Sequence, residues 1–593
     1  TAGFGSDALL AQSIGGGGGL VGETSTALTL GNSNGGAGDA GDLSISSTGT
    51  ITTTGDQSIG ISAQSIGAGG GRAGTAGGSV TLGANGGRGN AGNVSLDLAS
   101  DGGNGSIVTT GSQSPAFVLQ SIGGGGGLVF PSSKTSSGDV LLGGGPLGSQ
   151  GSGGSISFIA GGSSAITTTG TGSSGLSYQS IGGGGGYTGS TSADAQIGGL
   201  YRGTSTGASL TLSSQIDSAT NGTDAAALMI QTLGGGGGRV GDVGGNANLG
   251  GTSALLGTPN GQSGNLEITL NSNLTSAGDR SSGAIIQTIG GGGGLAGAIA
   301  GNATLGGLGR GNRSAGSLAL SIDNRVGSAG ANSPALLAQS IGGGGGSIDT
   351  VGGNLSLGRN TTLTSPNSGN TSAAALSLSL NSGAQIFSSG NTSPAFIAQS
   401  IGGGGGFASA TTGSVQLGAG GTGTLNADAS AGAISFSNTG AAISTAGNLS
   451  PAVVLQTIGG GGGYTTGGTS TSFSAPAHAG TSTASGDITA SNSGIISTSG
   501  DNSFGLLLQT IGGGGGVSGS SSGSVSLNNT NTASNSGSIA FSNTGTIATS
   551  GTGSHAVVAQ TIAGGGGFVF GGVSKDDSTS LLGNPTGSSG DIN

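Results

Sequence analysis

Few residues of this sequence are of a type and spacing that could catalyse a reaction. The two histidines, His478 and His555, lie in different parts of the chain and have no recurring partner. A serine does recur, as at Ser6, Ser58 and Ser114, but no general base recurs with it to activate the hydroxyl as a nucleophile. A hydroxyl that stabilises a turn is the simpler role. The sequence therefore predicts no catalytic residue and a protein that is not an enzyme.

Metal and cofactor sites are also weakly indicated. The segment from Gly35 to Asp39 approaches a calcium-binding glycine-rich repeat, but its aspartate comes one residue early and the pattern does not recur. Asp576 and Asp577 form the only adjacent acidic pair, and neither lysine follows the glycine that a phosphate-binding loop requires. We expect no cofactor-binding residue and no metal ligand.

Charge and composition exclude further function classes. The 593 residues include 146 glycines, no cysteine and 6% charged residues, and the formal net charge is −11. Nucleic-acid binding needs clustered basic residues, which 11 scattered Lys and Arg do not provide. No run of 18 apolar residues could cross a membrane as a helix, so we expect membrane contact only through a segment absent from this chain.

One motif dominates the chain. Gln-[Ser/Thr]-Ile followed by five glycines recurs eleven times, with single departures at Ala68, Leu233 and Ala563, at intervals of 51 to 60 residues and about 55 on average. Residues 1–593 therefore read as a single continuous repeat array, and because both ends cut a repeat we expect it to be part of a longer chain. The motif glutamines are Gln12, Gln64, Gln120, Gln179, Gln231, Gln287, Gln339, Gln399, Gln456, Gln509 and Gln560.

The segment before each glutamine keeps a strict register. A glycine always stands nine residues before it, as at Gly3, Gly55 and Gly111, and a serine follows that glycine by three residues in ten copies. Ala225 is the exception. A flexible linker has no reason to hold such a register, so the pattern indicates a repeated folded unit.

Each repeat is predicted to contain four short strands separated by turn residues. The first follows the glycine run, as at 80–82, and the second alternates apolar and polar residues, as at 94–98. The third is typified by residues 51–55, and the fourth carries the glutamine. No apolar period of 3.6 residues is present, which favours an all-β fold.

Short strands in eleven copies of about 55 residues predict a parallel β-solenoid (β-helix), in which like residues stack about 4.8 Å apart. Each repeat could be one large coil or two or three ordinary coils, and the sequence leaves both open. If copies stack directly, the eleven glutamines form a structural amide ladder. If they do not, each glutamine satisfies local backbone groups instead.

The strand before each glutamine has consecutive apolar residues, as at 117–119 and 506–508. Such a strand is buried on both faces, and the glycines after it permit close backbone approach. We therefore expect the glutamine and penta-glycine segment to be an internal or lateral packing seam.

The motif also carries a family resemblance, through Ser-Pro-Ala before it at 114–116, 333–335, 393–395 and 450–452. With this lead-in it resembles the glycine-rich repeat arrays of large autotransporter-type surface proteins of Gram-negative bacteria. The resemblance covers essentially the whole chain. It implies an adhesin-like passenger region exported through the outer membrane, and therefore an extracellular, cell-surface or outer-membrane location.

These observations favour an extracellular structural stalk or fibre on a bacterial surface, serving adhesion, surface coating or cell–cell contact. The alternative is a self-assembling filament or sheet subunit packed laterally through the glutamine and penta-glycine strand. The expected partners are further copies of the chain, or host and cell-surface molecules. A polysaccharide-degrading β-helix enzyme is disfavoured, because it needs clustered Asp, Arg or Lys on one face.

Overall fold

The chain folds into an all-β parallel solenoid, seen in a computed structural model. The described residues contain no helix, as the sequence predicts. They are 1–31, 38–98, 105–131, 138–143, 150–161, 164–199, 203–250, 260–307, 311–358, 369–418, 428–474, 482–521, 523–528, 533–570, 579–580 and 587–593.

Each repeat forms one large coil. Every strand pairs in parallel with its own copy one repeat away, so that Gln64 lies between Gln12 and Gln120. Like residues therefore stack on like residues along the solenoid axis, about 4.8 Å apart. This register decides the number of coils that the sequence left open.

The glutamine sheet has eleven strands and carries the repeated motif. Its strands are six residues long and end at the motif isoleucine or at Leu233. Their bounds are Leu9–Ile14, Ile61–Ile66, Phe117–Ile122, Leu176–Ile181, Leu228–Leu233, Ala284–Ile289, Leu336–Ile341, Phe396–Ile401, Val453–Ile458, Leu506–Ile511 and Val557–Ile562.

The glycine sheet also has eleven strands, and sequence reasoning did not predict it. The last glycines of each run pair with those of the next coil, where a glycine-rich segment without side chains gives no strand signal. Its strands are Gly18–Val21, Gly70–Ala73, Gly126–Val129, Gly185–Thr188, Gly237–Val240, Gly293–Ile299, Gly345–Val351, Gly405–Thr411, Gly461–Gly468, Gly514–Ser521 and Gly566–Val569.

The short-strand sheet corresponds to the first predicted strand of each repeat. Two inward apolar residues flank an outward one, as in the buried Val80 and Leu82 around Thr81. Its strands are Leu28–Leu30, Val80–Leu82, Val140–Leu142, Ala195–Ile197, Ala247–Leu249, Ala303–Leu305, Leu355–Leu357, Ser414–Gly418, Ser470–Ser474, Val525–Asn528 and Thr579–Ser580.

The alternating strands form a three-stranded and a seven-stranded sheet. Their apolar residues point inward and their polar residues outward, as the period of two predicts. The three strands are Leu43–Ser47, Val94–Leu98 and Ile156–Ala160. The seven are Leu210–Ser214, Leu266–Leu270, Leu318–Ile322, Leu376–Leu380, Ile434–Asn438, Ile488–Asn492 and Ile539–Asn543.

The threonine sheet has ten strands and corresponds to the third predicted strand. Its strands are Thr50–Thr53, Ser106–Thr109, Ala165–Thr168, Asp217–Thr220, Leu274–Ser276, Arg325–Ser328, Gln385–Ser388, Ala442–Thr445, Ile495–Thr498 and Thr546–Thr549. Seven further strands of two or three residues form a minor sheet, which the sequence did not predict. They are Ser205–Thr206, Gly261–Gln262, Arg313–Ser314, Thr371–Ser372, Ala429–Ser430, Ser482–Ala484 and Ala533–Asn535.

The glutamine and glycine sheets lie inside the coil, each between two apolar layers. Phe117 of the glutamine sheet packs in one cluster with Leu96 of the alternating strands, whereas its neighbour Val118 packs with Leu128 of the glycine sheet. Val129, the next residue of the glycine sheet, packs with Leu142 of the short-strand sheet. The motif isoleucines stack in a further column. Internal sheets explain how a chain with small apolar residues still buries a core.

Candidate functional site

The eleven motif glutamines form one continuous hydrogen-bonded ladder. Each Nε2 donates to the Oε1 of the next glutamine along the chain, at 2.7 to 2.8 Å. All ten bonds point in the same direction along the axis. The nine inner side chains are fully buried, and only Gln12 and Gln560 at the two ends are partly exposed.

The glutamines also bond to the glycine sheet that faces them. Gln231, Gln339, Gln399 and Gln456 each place Nε2 within 3.2 to 3.5 Å of the carbonyl oxygen of the glycine seven residues later. The same amide therefore holds the next coil and the opposite strand of its own coil. The structure brings the ladder and the local backbone contact together, where the sequence offered them as alternatives.

Glycine in the facing sheet is a steric requirement. Gly126 and Gly127 have φ angles of 133° and 138°, a region that residues with a side chain rarely adopt. A Cβ on Gly126 would lie 1.9 Å from the carbonyl oxygen of Gly185 in the next coil, and one on Gly127 would lie 2.0 Å from that of Gly71 in the previous coil. The backbone of each coil therefore leaves no room for a Cβ atom at the facing glycines of the coils on either side.

The fixed-length segment before each glutamine forms a turn in which one residue has a left-handed backbone conformation. The second residue after the fixed glycine has a positive φ in all eleven coils, although it is glycine in only three of them. The non-glycine examples have φ between 51° and 56°, as at Gln113 and Leu449. This backbone conformation costs a residue with a side chain about 1 kcal/mol, and the hydrogen bonds around the turn maintain it.

The recurring serine holds one turn to the next. Ser114 Oγ accepts the backbone N–H of Ser58 at 3.0 Å and donates to the carbonyl oxygen of Gly55 at 3.0 Å. The same pair of contacts recurs in later coils, for example at Ser503. Ala225 cannot make them, although its own N–H donates to Ser281 Oγ at 2.9 Å. The hydroxyl acts as an inter-coil clamp.

Two groups of charges, one buried and one partly buried, lie inside the coil, and sequence reasoning missed both. Near the first coil, Arg72 donates to Asp7 at 2.9 Å and to the carbonyl oxygen of Gln57 at 2.8 Å. Both charged side chains are about 5% exposed or less. Burial raises the pKa of Asp7 to about 6, outweighing the attraction of Arg72, and it lowers the pKa of Arg72. Aligning the repeats could have revealed the buried arginine, because Arg72 occupies the inward position that Leu128 holds one coil later.

The second group lies in the middle coils around a cavity of about 20 Å³. Arg280 forms a two-pronged ion pair with Asp224, at 2.6 and 2.7 Å, and lies 3.5 Å from Asp242. Arg239 is buried beneath them, with its guanidinium carbon 4.8 Å from the centre of the Tyr187 ring. Burial raises the pKa of Asp224 and that of Asp349, which also lines the cavity.

Asparagine and aspartate side chains link the coils at the corners. Asn302 Oδ1 accepts the backbone N–H of Asn354 at 2.8 Å, and Asn246 Oδ1 accepts that of Asn302 at 2.9 Å. A shorter amide ladder in the last coils runs from the buried Asn438 and Asn492 to the exposed Asn543. The repeated Asn could have been found in the sequence by aligning the copies, but its turn-forming tendency conceals this role.

The other sequence candidates do not come together as a reactive site. His555 is exposed and its ring stacks 5.9 Å from that of Phe504. His478, Asp576, Asp577 and most of the Gly35–Asp39 segment lie outside the described residues. Within the described part of the chain, no group of three or more His, Cys, Asp or Glu residues could hold a metal ion, and no helix is long and apolar enough to cross a membrane.

A surface groove of about 620 Å³ lies on the outer face of the short-strand sheet and is lined mainly by polar side chains. Its lining includes Thr81, Gln196, Asn248 and the carboxylates of Asp139 and Asp194. These groups donate and accept hydrogen bonds, but the groove contains no nucleophile paired with a base. The arrangement of the described residues is suited to stacking coils.

Comparison with known proteins adds no relative. No protein-family model matches the chain, and neither the curated proteins nor the solved structures contain a significant match.

Proposed function

We propose that this chain is part of an extracellular structural stalk or fibre on the surface of a Gram-negative bacterium, serving adhesion, surface coating or cell–cell contact. The observation that carries the proposal is the unbroken glutamine ladder, which runs through all eleven coils. Coils that satisfy one another in this way build length, about 5 nm for eleven coils at 4.8 Å each.

Two further features support a structural role outside the cell. The buried polar groups of the motif form hydrogen bonds with neighbouring coils. The interactions that recur in every repeat therefore run along the solenoid axis. The chain has no cysteine, and its exposed strand positions are mainly Ser, Thr, Asn and Ala, which resist nonspecific hydrophobic contact. The surface location itself rests on the resemblance of the motif to autotransporter-type repeat arrays.

Electron microscopy and surface labelling test this proposal. The purified chain should appear as single rods that lengthen in proportion to the number of repeats. Antibody against the repeats should label intact cells of the source bacterium, and external protease should remove the label. Rods without surface labelling would contradict the location, and compact particles whose size is independent of repeat number would contradict the stalk.

A second candidate is a filament or sheet subunit that associates laterally. Lateral packing through the glutamine and penta-glycine strand, which the sequence offered as the alternative, would need that strand at the surface, whereas its inner copies are buried inside the coil. The outer faces of the coil would have to provide the contact. Laterally packed fibres in place of single rods would favour this candidate.

A further inference from the structure

The outer face of the threonine sheet is nearly free of charge. In nine of the ten strands the first residue points outward, and in the remaining coil Asn273, directly before Leu274–Ser276, takes this position; the strand register aligns these residues in one column. We call this the outer column: Thr50, Ser106, Ala165, Asp217, Asn273, Arg325, Gln385, Ala442, Ile495 and Thr546.

Two opposite charges occupy the outer column, and they are placed symmetrically. Asp217 lies one coil before Asn273, and Arg325 lies one coil after it. All three side chains are exposed. Asp217 and Arg325 are two coils apart, about 10 Å, and the ion pairs found among the described residues do not join them.

Both charges are held in position by their neighbours. Asp217 Oδ1 accepts the backbone N–H of Asn273 at 2.8 Å, and its carboxylate also accepts the Asn273 amide. The guanidinium carbon of Arg325 lies 4.2 Å from the centre of the Phe387 ring, which covers Gly327. Ordered charges lose little entropy when they meet a partner.

We propose that two copies of this chain associate face to face and antiparallel through the threonine sheet, about a two-fold axis at Asn273. A two-fold axis along the strand direction keeps the column in place and inverts the order of the coils. Asp217 of one copy then meets Arg325 of the other, twice, and no like charges meet. Ile495, which is 55% exposed, meets Thr50 of the other copy.

The expected strength follows from the size of the face. With the axis at Asn273, nine of the ten strands face the other copy, and at about four residues each they cover roughly 13 Å by 43 Å, or about 560 Å² on each copy. A total of about 1,100 Å² lies just below the usual range of specific protein interfaces. The association should therefore be weak and reversible, and should weaken as salt screens the two ion pairs.

Charge exchange tests the pairing. Analytical ultracentrifugation of the full chain should show a monomer–dimer equilibrium at high micromolar concentration. Asp217→Arg or Arg325→Asp alone should weaken it by about tenfold or more, because like charges then meet twice. The double variant Asp217→Arg/Arg325→Asp should restore it. A monomeric wild type, unchanged single variants, or a natively folded double variant that stays monomeric would overturn the proposal.

Crosslinking tests the direction of packing, since the chain has no cysteine of its own. Asn273→Cys places a thiol on the two-fold axis and should form a disulfide-linked dimer in oxidised glutathione. Thr50→Cys, at the end of the same column, should do so much more slowly. Equal rates for the two variants would contradict antiparallel pairing. The proposal deepens the lateral-assembly candidate and rests on it only for its biological role, so failure here would leave surface labelling and the single-rod stalk untouched.

Discussion

The glutamine ladder and the buried charges show two ways of placing polar groups in the same interior. The ladder recurs in all eleven coils, whereas the Asp7–Arg72 pair and the cluster around Arg280 occur once each. An amide is both donor and acceptor, so each glutamine satisfies the next. A charge repeated every 4.8 Å would face its own sign in both neighbouring coils. Neutral groups that both donate and accept can therefore stack in every coil, whereas a buried charge is tolerated only in single coils where an opposite charge lies nearby.

The largest effect is expected from the glycines that face the ladder. Gly126→Ala should destabilise the array by more than about 4 kcal/mol, because the new Cβ would collide with a backbone oxygen that belongs to a paired strand. Urea denaturation followed by circular dichroism measures the loss. Gly49→Ala is the matched control, since nothing lies within 4 Å of its Cβ. Equal stability of the two variants would show that the glycine sheet tolerates side chains.

The ladder itself should be the next most sensitive feature. Gln287→Met keeps the volume but removes the ladder acceptor of Gln231, which retains only its 3.5 Å contact with the carbonyl oxygen of Gly238, and removes the donor to the Gln339 amide oxygen. Losing both buried ladder bonds should cost about 2–5 kcal/mol together. Gln262→Met, at an exposed position, should change the free energy of unfolding by less than about 0.5 kcal/mol. A neutral result at position 287 would mean that the ladder adds no stability.

The charged pair near the first coil should make that end sensitive to pH. The pKa of Asp7 is raised from 3.8 to about 6, so the folded state binds this proton more tightly than the unfolded state. The resulting stability is complete below about pH 4 and is lost as the pH rises through 6, by up to about 3 kcal/mol. Hydrogen exchange of the first two coils between pH 4 and 8 measures it.

Asp7→Asn is the control for this titration. The variant should exchange at a rate that depends less on pH across that window once the intrinsic exchange rate is removed. A pH dependence equal to that of the wild type would assign the effect to other carboxyls. The glutamine ladder, which has no titratable group, should show no such window.

The smallest effect is a gain from completing the serine clamp. Ala225→Ser should add hydrogen bonds to the N–H of Ser173 and the carbonyl of Gly170, by analogy with Ser114 in its own turn. We expect about 1 kcal/mol of added stability. Ser281→Ala, which removes a clamp, should lose a similar amount. Thermal unfolding of the two variants beside the wild type checks both signs.

Much of the fold could be predicted from the sequence. The all-β parallel solenoid, the alternating strands and the unit of about 55 residues follow from periodicity, because side chains in a strand alternate and stacked repeats must share a register. The glycine sheet could not be predicted, since residues such as Gly126 carry no side chain whose pattern marks a strand. The minor sheet could not be predicted for a similar reason, because strands of two or three residues are too short to show an alternation of apolar and polar side chains.

The candidate site divides in the same way. The positions of the glutamines are evident from the sequence, but whether Gln64 bonds to its copies depended on one coil per repeat, which the spacing left open. The charges at Asp7 and Arg72 are far apart in sequence and meet only across a coil. Single occurrences like this pair give no periodic signal at all.

What the sequence determined by itself is what repeats as a side-chain pattern: the alternating strands, the period of about 55 residues and the glutamine of each motif. What only the tertiary structure decided is which faces lie inside. The glutamine strand is apolar on both sides, and this alone allows an internal sheet or a lateral contact. The coil closes around it because the glycine sheet covers one face through the apolar layer that includes Val118 and Leu128, while the apolar residues of the alternating strands cover the other face.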